Sequence, residues 1–133
     1  MKVEFENEIK TKYRNMFPSD EIMADMEKSC LCWGFECADG WENLLRNLFE
    51  ELSKLEIPKD FRIEQIKSKF GGLRFYVSFA SDEIYKVIDK YETLSYTTCE
   101  FCGADNATQT GKDWITTLCP NCLEKTLDKK VKQ

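Results

Sequence analysis

Residues 39–55 read DGWENLLRNLFEELSKL, and this stretch has the clearest helical pattern in the chain. Its apolar side chains recur at intervals of three and four residues, which is typical of a helix with one buried face. They are Trp41, Leu44, Leu45, Leu48, Phe49, Leu52 and Leu55. Asp39 and Glu42 have the spacing of a capping box, with Asp in place of the usual Ser or Thr. We therefore expect a helix at the centre of the core, ending before Pro58.

The stretch that follows, residues 61–79, predicts a β-hairpin. Its turn is expected at Gly71-Gly72, because glycine tolerates the positive φ of a two-residue turn. That turn pairs Phe70 with Leu73, Ser68 with Phe75 and Ile66 with Val77, so that one face is nearly all apolar. The opposite face is expected to be polar and basic. It carries Lys67, Lys69, Arg74 and Tyr76.

Helices are expected on both sides of these two segments. Val3 to Phe17 has apolar residues at helical intervals, Pro18 breaks the pattern, and Ser19 can cap a second helix. After the hairpin, Ser81 can cap a fourth helix. The expected buried stripe of that helix is Ile84, Val87, Ile88, Tyr91 and Leu94. Leu123 to Lys130 predicts a short closing helix.

The last third of the chain carries two Cys-x-x-Cys pairs, sixteen residues apart. They are Cys99 with Cys102 and Cys119 with Cys122. Each pair can present two sulfurs from one tight turn, and two such turns complete the tetrahedron that zinc prefers. Redox dithiols and chance are the alternatives, but a thioredoxin-like dithiol needs a βαβ setting that the pattern lacks. The intervening stretch is long enough for a short β-hairpin, and residues 96–125 resemble a zinc ribbon.

These segments predict an α+β fold: N-terminal helices packed on a β-hairpin, then a helix and a C-terminal zinc-ribbon module. Residues 1–95 would form the body, and residues 96–133 the module with its short helix. A catalytic zinc keeps an open position and usually has a His ligand. The chain contains no His, and four thiolates close the shell. We therefore expect one structural Zn²⁺ and no enzymatic activity.

Three further cysteines, Cys30, Cys32 and Cys37, leave two interpretations open. They can be ordinary core residues, or three ligands of a second metal site that would lack a fourth. We favour core packing, because three thiols do not complete a shell.

Composition restricts the class of partner. Hydrophobic residues make up 42% of the chain, which suits a packed core rather than disorder. The net charge is −5, and residues 1–60 carry 8 basic and 14 acidic side chains. An acidic protein repels a phosphate backbone and suits a basic surface on another protein. The expected contact residues are Glu4, Glu6, Glu8, Asp20, Glu21, Asp25 and Glu27.

Two further expectations concern the surroundings of the protein. The sequence lacks a signal peptide and a membrane-length apolar run, so we expect it in the cytosol and away from membranes. The basic hairpin face, with Lys67, Lys69, Arg74 and Tyr76, offers an alternative function in binding nucleic acid. A plain solvated sheet face, or one covered by the zinc module, explains the same residues.

Four motifs form an ordered set. They are GFECADGWENLL at 34–45, KFGGLRFY at 69–76, CEFCG at 99–103 and WITTLC at 114–119. Over residues 34–122 the set resembles a family of small proteins encoded by bacteriophages and prophages. Family members often end the last motif with Cys-x-x-His, where this chain has Cys122, a ligand that zinc accepts equally.

The resemblance implies a phage accessory context and no particular catalytic chemistry. Small acidic phage proteins frequently bind a host factor stoichiometrically, and some inhibit CRISPR nucleases. The sharpest expectation is therefore an anti-CRISPR protein that occupies the positively charged channel of a Cas9-type nuclease in the host cytosol.

Overall fold

The structure, a computed structural model, describes the backbone of residues 1–131 and the side chains of residues 1–127. Its regular elements are, in chain order, α1 (Val3–Lys12), α2 (Asp20–Ala24), α3 (Glu42–Ser53), β1 (Arg62–Lys69), β2 (Gly72–Ser78), α4 (Asp82–Ser95), β3 (Thr108–Thr110), β4 (Thr116–Leu118) and α5 (Pro120–Val131). The strands form two separate antiparallel hairpins. The expected α+β fold is thus confirmed. No helix within the described range is long and apolar enough to cross a membrane.

Helix α3 lies at the centre of the core, as its sequence pattern predicts. Its apolar face is buried from Leu44 to Leu52, while Leu55 beyond its end is partly buried. Phe49 connects the layers, because its ring lies 5.3 Å from that of Tyr13 and 5.5 Å from that of Phe75. The N-terminal helices and the β1–β2 hairpin therefore pack around one aromatic side chain.

The predicted capping box at the start of α3 is wrong. A 3₁₀ turn occupies Asp39–Trp41, and α3 begins at Glu42 without a side-chain cap. The backbone N–H groups at this helix start donate to the C-terminal module instead. Gly40 N–H donates to the Glu100 carbonyl at 2.7 Å, and Ala38 N–H donates to the Glu100 carboxylate at 3.2 Å.

The β1–β2 hairpin forms, but its turn lies one residue earlier than predicted. Lys69 pairs with Gly72, so that Phe70 and Gly71 form the two-residue turn. Both have positive φ, 55° and 79°, as a type I′ turn requires. Ser68 therefore pairs with Leu73 instead of Phe75. Near the turn each residue stays on the face of the hairpin that was predicted for it. The strand pairing has shifted by two residues, and side chains alternate between the faces with a period of two.

Both outer edges of this hairpin are covered. Glu36 forms a parallel bridge to Lys67 of β1. On the β2 side, Leu73 N–H donates to Ser95 Oγ at 2.8 Å and Phe75 N–H donates to the Glu92 carboxylate at 2.9 Å. Since both acceptors belong to α4, the side chains of that helix take the place of a third strand.

The remaining helices follow the sequence pattern with local differences. Ser19 and Ser81 cap α2 and α4 as predicted. The first helix ends at Lys12, and a 3₁₀ turn at Arg14–Met16 completes its segment. Leu94 is 42% exposed, so its place in the buried stripe of α4 was predicted wrongly. Helix α5 begins at Pro120, earlier than Leu123, because proline fits the first helical position.

Candidate metal centre

The four predicted cysteines come together at one point of the C-terminal module. Cys99 and Cys102 belong to a tight turn after α4, in which Gly103 N–H donates to the Cys99 carbonyl at 2.9 Å. Gly103 has a φ of +84°, a conformation that favours glycine. The β3–β4 hairpin then leads directly into Cys119, and Cys122 lies in the first turn of α5.

The arrangement of the sulfur atoms fits a tetrahedral metal ion. All four Sγ atoms lie within 4.8 Å of one another, and Cys102 Sγ lies 3.6 Å from Cys119 Sγ. A tetrahedron with metal–sulfur bonds of about 2.3 Å has edges of about 3.8 Å. Cys99, Cys119 and Cys122 are buried, whereas Cys102 is exposed. The cluster therefore has the dimensions and the ligand set of a metal site.

Backbone amides favour the thiolate form of Cys99. Burial alone would raise the pKa of this thiol. Hydrogen bonds from the backbone N–H groups of Cys119, Cys102 and Phe101 outweigh burial and lower its pKa to about 6. The sulfur of Cys99 is thus ready to act as an anionic ligand near neutral pH.

Cys122 needs a nearby cation to become anionic. Burial, together with the sulfurs of Cys119 and Cys99, raises the pKa of Cys122 to about 12. Several thiolates this close repel one another, and a divalent cation at their centre removes that repulsion. A cation held by these four sulfurs has a complete shell, which is the pattern of structural sites.

Glu100, which lies between two of the ligands, joins the module to the body. It is buried, and its carboxylate accepts hydrogen bonds from Ala38 N–H and Ser68 Oγ. Nearby, Trp41 Nε1 donates to the Thr98 carbonyl at 2.9 Å. This role of Glu100 was not predicted from the sequence. The sequence contained one signal of this contact, which was Gly40 next to Trp41. A helix start exposed to solvent requires neither a residue without a side chain nor a large aromatic ring.

A second contact joins the β3–β4 hairpin to the tip of the β1–β2 hairpin. Thr117, which is completely buried, donates its hydroxyl to the Gly71 carbonyl. Gly72 lies under the ring of Tyr96, where a Cβ atom would come within 2.5 Å of it. Glycine is therefore required at position 71 by its positive φ and at position 72 by the space that the Tyr96 ring occupies.

The other three cysteines do not form a metal cluster in the described part of the chain. The one group of three or more possible ligands found there is the four-cysteine cluster. Cys37 is buried, as expected of a core residue, and burial raises its pKa to about 12. Cys32 is half-buried and Cys30 is exposed, so core packing does not describe Cys30.

Several of the acidic residues predicted to contact a partner already have partners within the chain. Glu6 accepts from Phe35 N–H, and Glu8 pairs with Arg46, whose hydrogen bond lowers the pKa of Glu8. Asp20 lies 3.4 Å from Arg14, and Asp25 lies 3.8 Å from Lys28. The remaining three carboxylates are exposed. They belong to Glu4, Glu21 and Glu27.

The structure divides the basic hairpin face. Lys67 and Lys69 line a cleft of about 210 Å³ between the two hairpins, and the other side of the cleft is formed by residues 113–115. Arg74 instead lies over the ring of Tyr96, 6.0 Å from its centroid, and Tyr76 lines a different groove. Phe70 and Trp114 also line the cleft, and neither was predicted from the sequence as a site residue.

No protein-family model, curated protein or solved structure matches the chain. Its function is therefore argued from its own residues.

Proposed function

We propose that the four cysteines hold one structural Zn²⁺ and that the protein works by binding another macromolecule. The observation that supports a bound metal is the arrangement of the four sulfur atoms. Zinc prefers four thiolates in a tetrahedron, and the spacing of these sulfurs matches that geometry. Because such a site does not exist in the unfolded chain, the free energy of metal binding contributes to folding.

The metal is tested by substituting one ligand and one cysteine outside the cluster. Cys102 and Cys30 are both exposed, so Cys30→Ser is a matched control for Cys102→Ser. Protein purified without chelators is expected to contain one zinc per chain. Cys102→Ser should lose most of it and unfold several kcal/mol more easily, while Cys30→Ser keeps it. Equal zinc contents in the two variants, or metal-free wild-type protein, would refute the proposal.

For the partner, we propose a host protein bound stoichiometrically in a bacteriophage context, with inhibition of a Cas9-type nuclease as the sharpest version. The observation that carries this proposal is the acidic character of residues 1–60, with exposed carboxylates at Glu4, Glu21 and Glu27. Carboxylates on a folded surface can take the place of nucleic-acid phosphates in a basic channel.

Charge reversal tests this surface. The triple variant Glu4→Lys, Glu21→Lys and Glu27→Lys changes the net charge by the same amount as Asp89→Lys, Asp105→Lys and Glu124→Lys, which are exposed outside residues 1–60. The tagged wild-type protein is used to retain its partner from host cytosol, and the partner is identified by mass. The first triple variant should lose a partner that the second retains at a 1:1 ratio. If both variants retain it equally, the proposed surface is wrong.

A further inference from the structure

The cleft between the two hairpins is flanked by aromatic side chains that solvent reaches. Phe70, at the tip of the β1–β2 hairpin, is 65% exposed, and Trp114, in the β3–β4 connection, is 81% exposed. Both line the cleft of about 210 Å³. Neither belongs to the buried core. Both rings are therefore accessible to a ligand in the cleft.

The backbone of Phe70 strengthens this observation. Its φ of +55° lies in the left-handed region, which large side chains rarely adopt and which Asn or Gly adopts easily. A phenylalanine in this position neither eases the turn nor fills the core. The turn instead presents its ring beside the cleft.

The charge around the cleft differs in sign from that of the whole chain. Lys67 and Lys69 are its cations and Asp113 is its one carboxylate, whereas the chain carries −5. The ammonium group of Lys69 lies 5.7 Å from the centroid of the Phe70 ring. Lys112, next to Asp113 in the chain, is exposed as well. This face therefore attracts an anion, while the N-terminal half repels one.

We propose that the cleft binds a short single-stranded segment of nucleic acid. A base stacks on the rings of Trp114 and Phe70, and the adjoining phosphates lie against Lys67 and Lys69. Stacking on aromatic rings combined with lysine contacts is the general way in which proteins hold single strands. A duplex keeps its bases stacked on one another, and a cleft of this volume has room for about one base. This binding site is independent of the protein partner proposed above.

The chain provides matched controls for both aromatic residues. Phe79 has nearly the same backbone conformation as Phe70, with a φ of +57°, and is 70% exposed beyond the opposite end of β2. Phe70→Asn and Phe79→Asn therefore make the same chemical change in the same backbone setting. Trp33, 65% exposed in another loop, is the control for Trp114.

The experiment measures fluorescence anisotropy of labelled eight-nucleotide DNA and RNA strands with the zinc-loaded full chain. Phe70→Asn and Trp114→Ala are each expected to weaken single-strand binding at least fivefold, while Phe79→Asn and Trp33→Ala leave it unchanged. Lys67→Glu with Lys69→Glu should weaken binding and reduce its salt dependence.

Four results would overturn the proposal. The first two are the absence of single-strand binding at micromolar protein and tighter binding to a duplex of the same sequence. The third is an equal loss of single-strand affinity in the control variants. The fourth is displacement of the strand by an acidic peptide that binds the protein more tightly than the strand does. The unfolding temperature of each variant shows whether it is folded, so that a loss of binding is not confused with a loss of structure.

Discussion

Gly40 is the position at which the fit between the module and the body can be tested most directly. Its φ is not positive, so alanine is compatible with the backbone there. Space is the obstacle. A Cβ atom would lie closer than 3.0 Å to the Cys99 carbonyl oxygen and to the carbonyl group of Glu100, a distance that real Cβ atoms essentially never show. Because these are backbone atoms, no side-chain rotation relieves the overlap.

The size of the effect follows from the contacts that must separate. Gly40→Ala has to move the Cys99–Cys102 turn away by a large part of an ångström, and overpacking of this kind costs about 1–3 kcal/mol. Two hydrogen bonds are lost with it, from Gly40 N–H to Glu100 and from Trp41 Nε1 to Thr98, at about 1 kcal/mol each. We therefore expect the free energy of unfolding to fall by about 4 kcal/mol. For 133 residues this corresponds to a decrease in Tm of roughly 14 °C.

Thermal unfolding and zinc analysis together separate docking from metal binding. The four ligands lie within residues 99–122, and Cys99 N–H keeps its bond to Ala104 inside the module. Gly40→Ala should therefore keep one zinc per chain while its Tm falls. The control is Asn43→Ala, at an exposed position in the first turn of α3, which should change stability by less than about 0.5 kcal/mol. A Gly40→Ala protein as stable as the wild type, or one that loses its zinc, would refute this account.

Two further predictions concern the contacts between α4 and β2. Ser95→Ala leaves the buried Leu73 N–H without an acceptor and should lower stability by about 2 kcal/mol in denaturant titrations. The control is Ser53→Ala: this exposed serine donates to the Glu50 carbonyl, as Ser95 does to the Glu92 carbonyl, but accepts no buried N–H, so stability should fall by less than about 0.5 kcal/mol. Equal losses would show that the edge contact has no special importance. Burial raises the pKa of Glu92 above its ordinary value, so the folded state disfavours the charged carboxylate. As the pH falls through that raised pKa towards 4.5, the wild type should therefore gain stability relative to Glu92→Gln. The free energy of unfolding of both proteins is measured at pH 7 and at pH 4, so that the effects of acid on the rest of the chain cancel in the difference between them. If that difference is the same at both pH values, the buried Glu92 carboxylate does not contribute to the pH dependence of stability.

The parts of the fold predictable from sequence were those that local patterns determine. The α3 stripe, the serine caps and the two cysteine pairs each depend on spacing within one segment. The β1–β2 turn was placed one residue late because Gly71-Gly72 satisfies the turn rule locally. The actual turn consists of Phe70 and Gly71, and residue 72 must be glycine because the Tyr96 ring packs directly against it. That packing requirement comes from a residue more than twenty positions away and leaves no local pattern.

The capping box failed for a related reason. Asp39 and Glu42 have the correct spacing, but the N–H groups at this helix start are satisfied by Glu100, about sixty residues away. Similarly, no local pattern singles out Trp114 as a site residue, and only the fold brings it to the same cleft as Phe70. The four-cysteine cluster was predictable because binding one metal ion would require all four thiols. The surfaces around them were not, because they are assembled from distant segments.

The metal site and the fold are connected through two contacts with the body. Thr98 and Glu100 flank Cys99 and reach Trp41 and Gly40, while Thr117 lies two residues before Cys119 and reaches Gly71. A cation bound by Cys99 and Cys119 would fix the distance between these two contacts, and the bond from Glu100 N–H to the Thr117 carbonyl at 2.9 Å sets their relative orientation. Both contacts must match the body at once, so a bound metal would align the whole module rather than only its own turns. The cleft between Phe70 and Trp114 has one side on the body and the other on the module, and its shape therefore depends on that alignment.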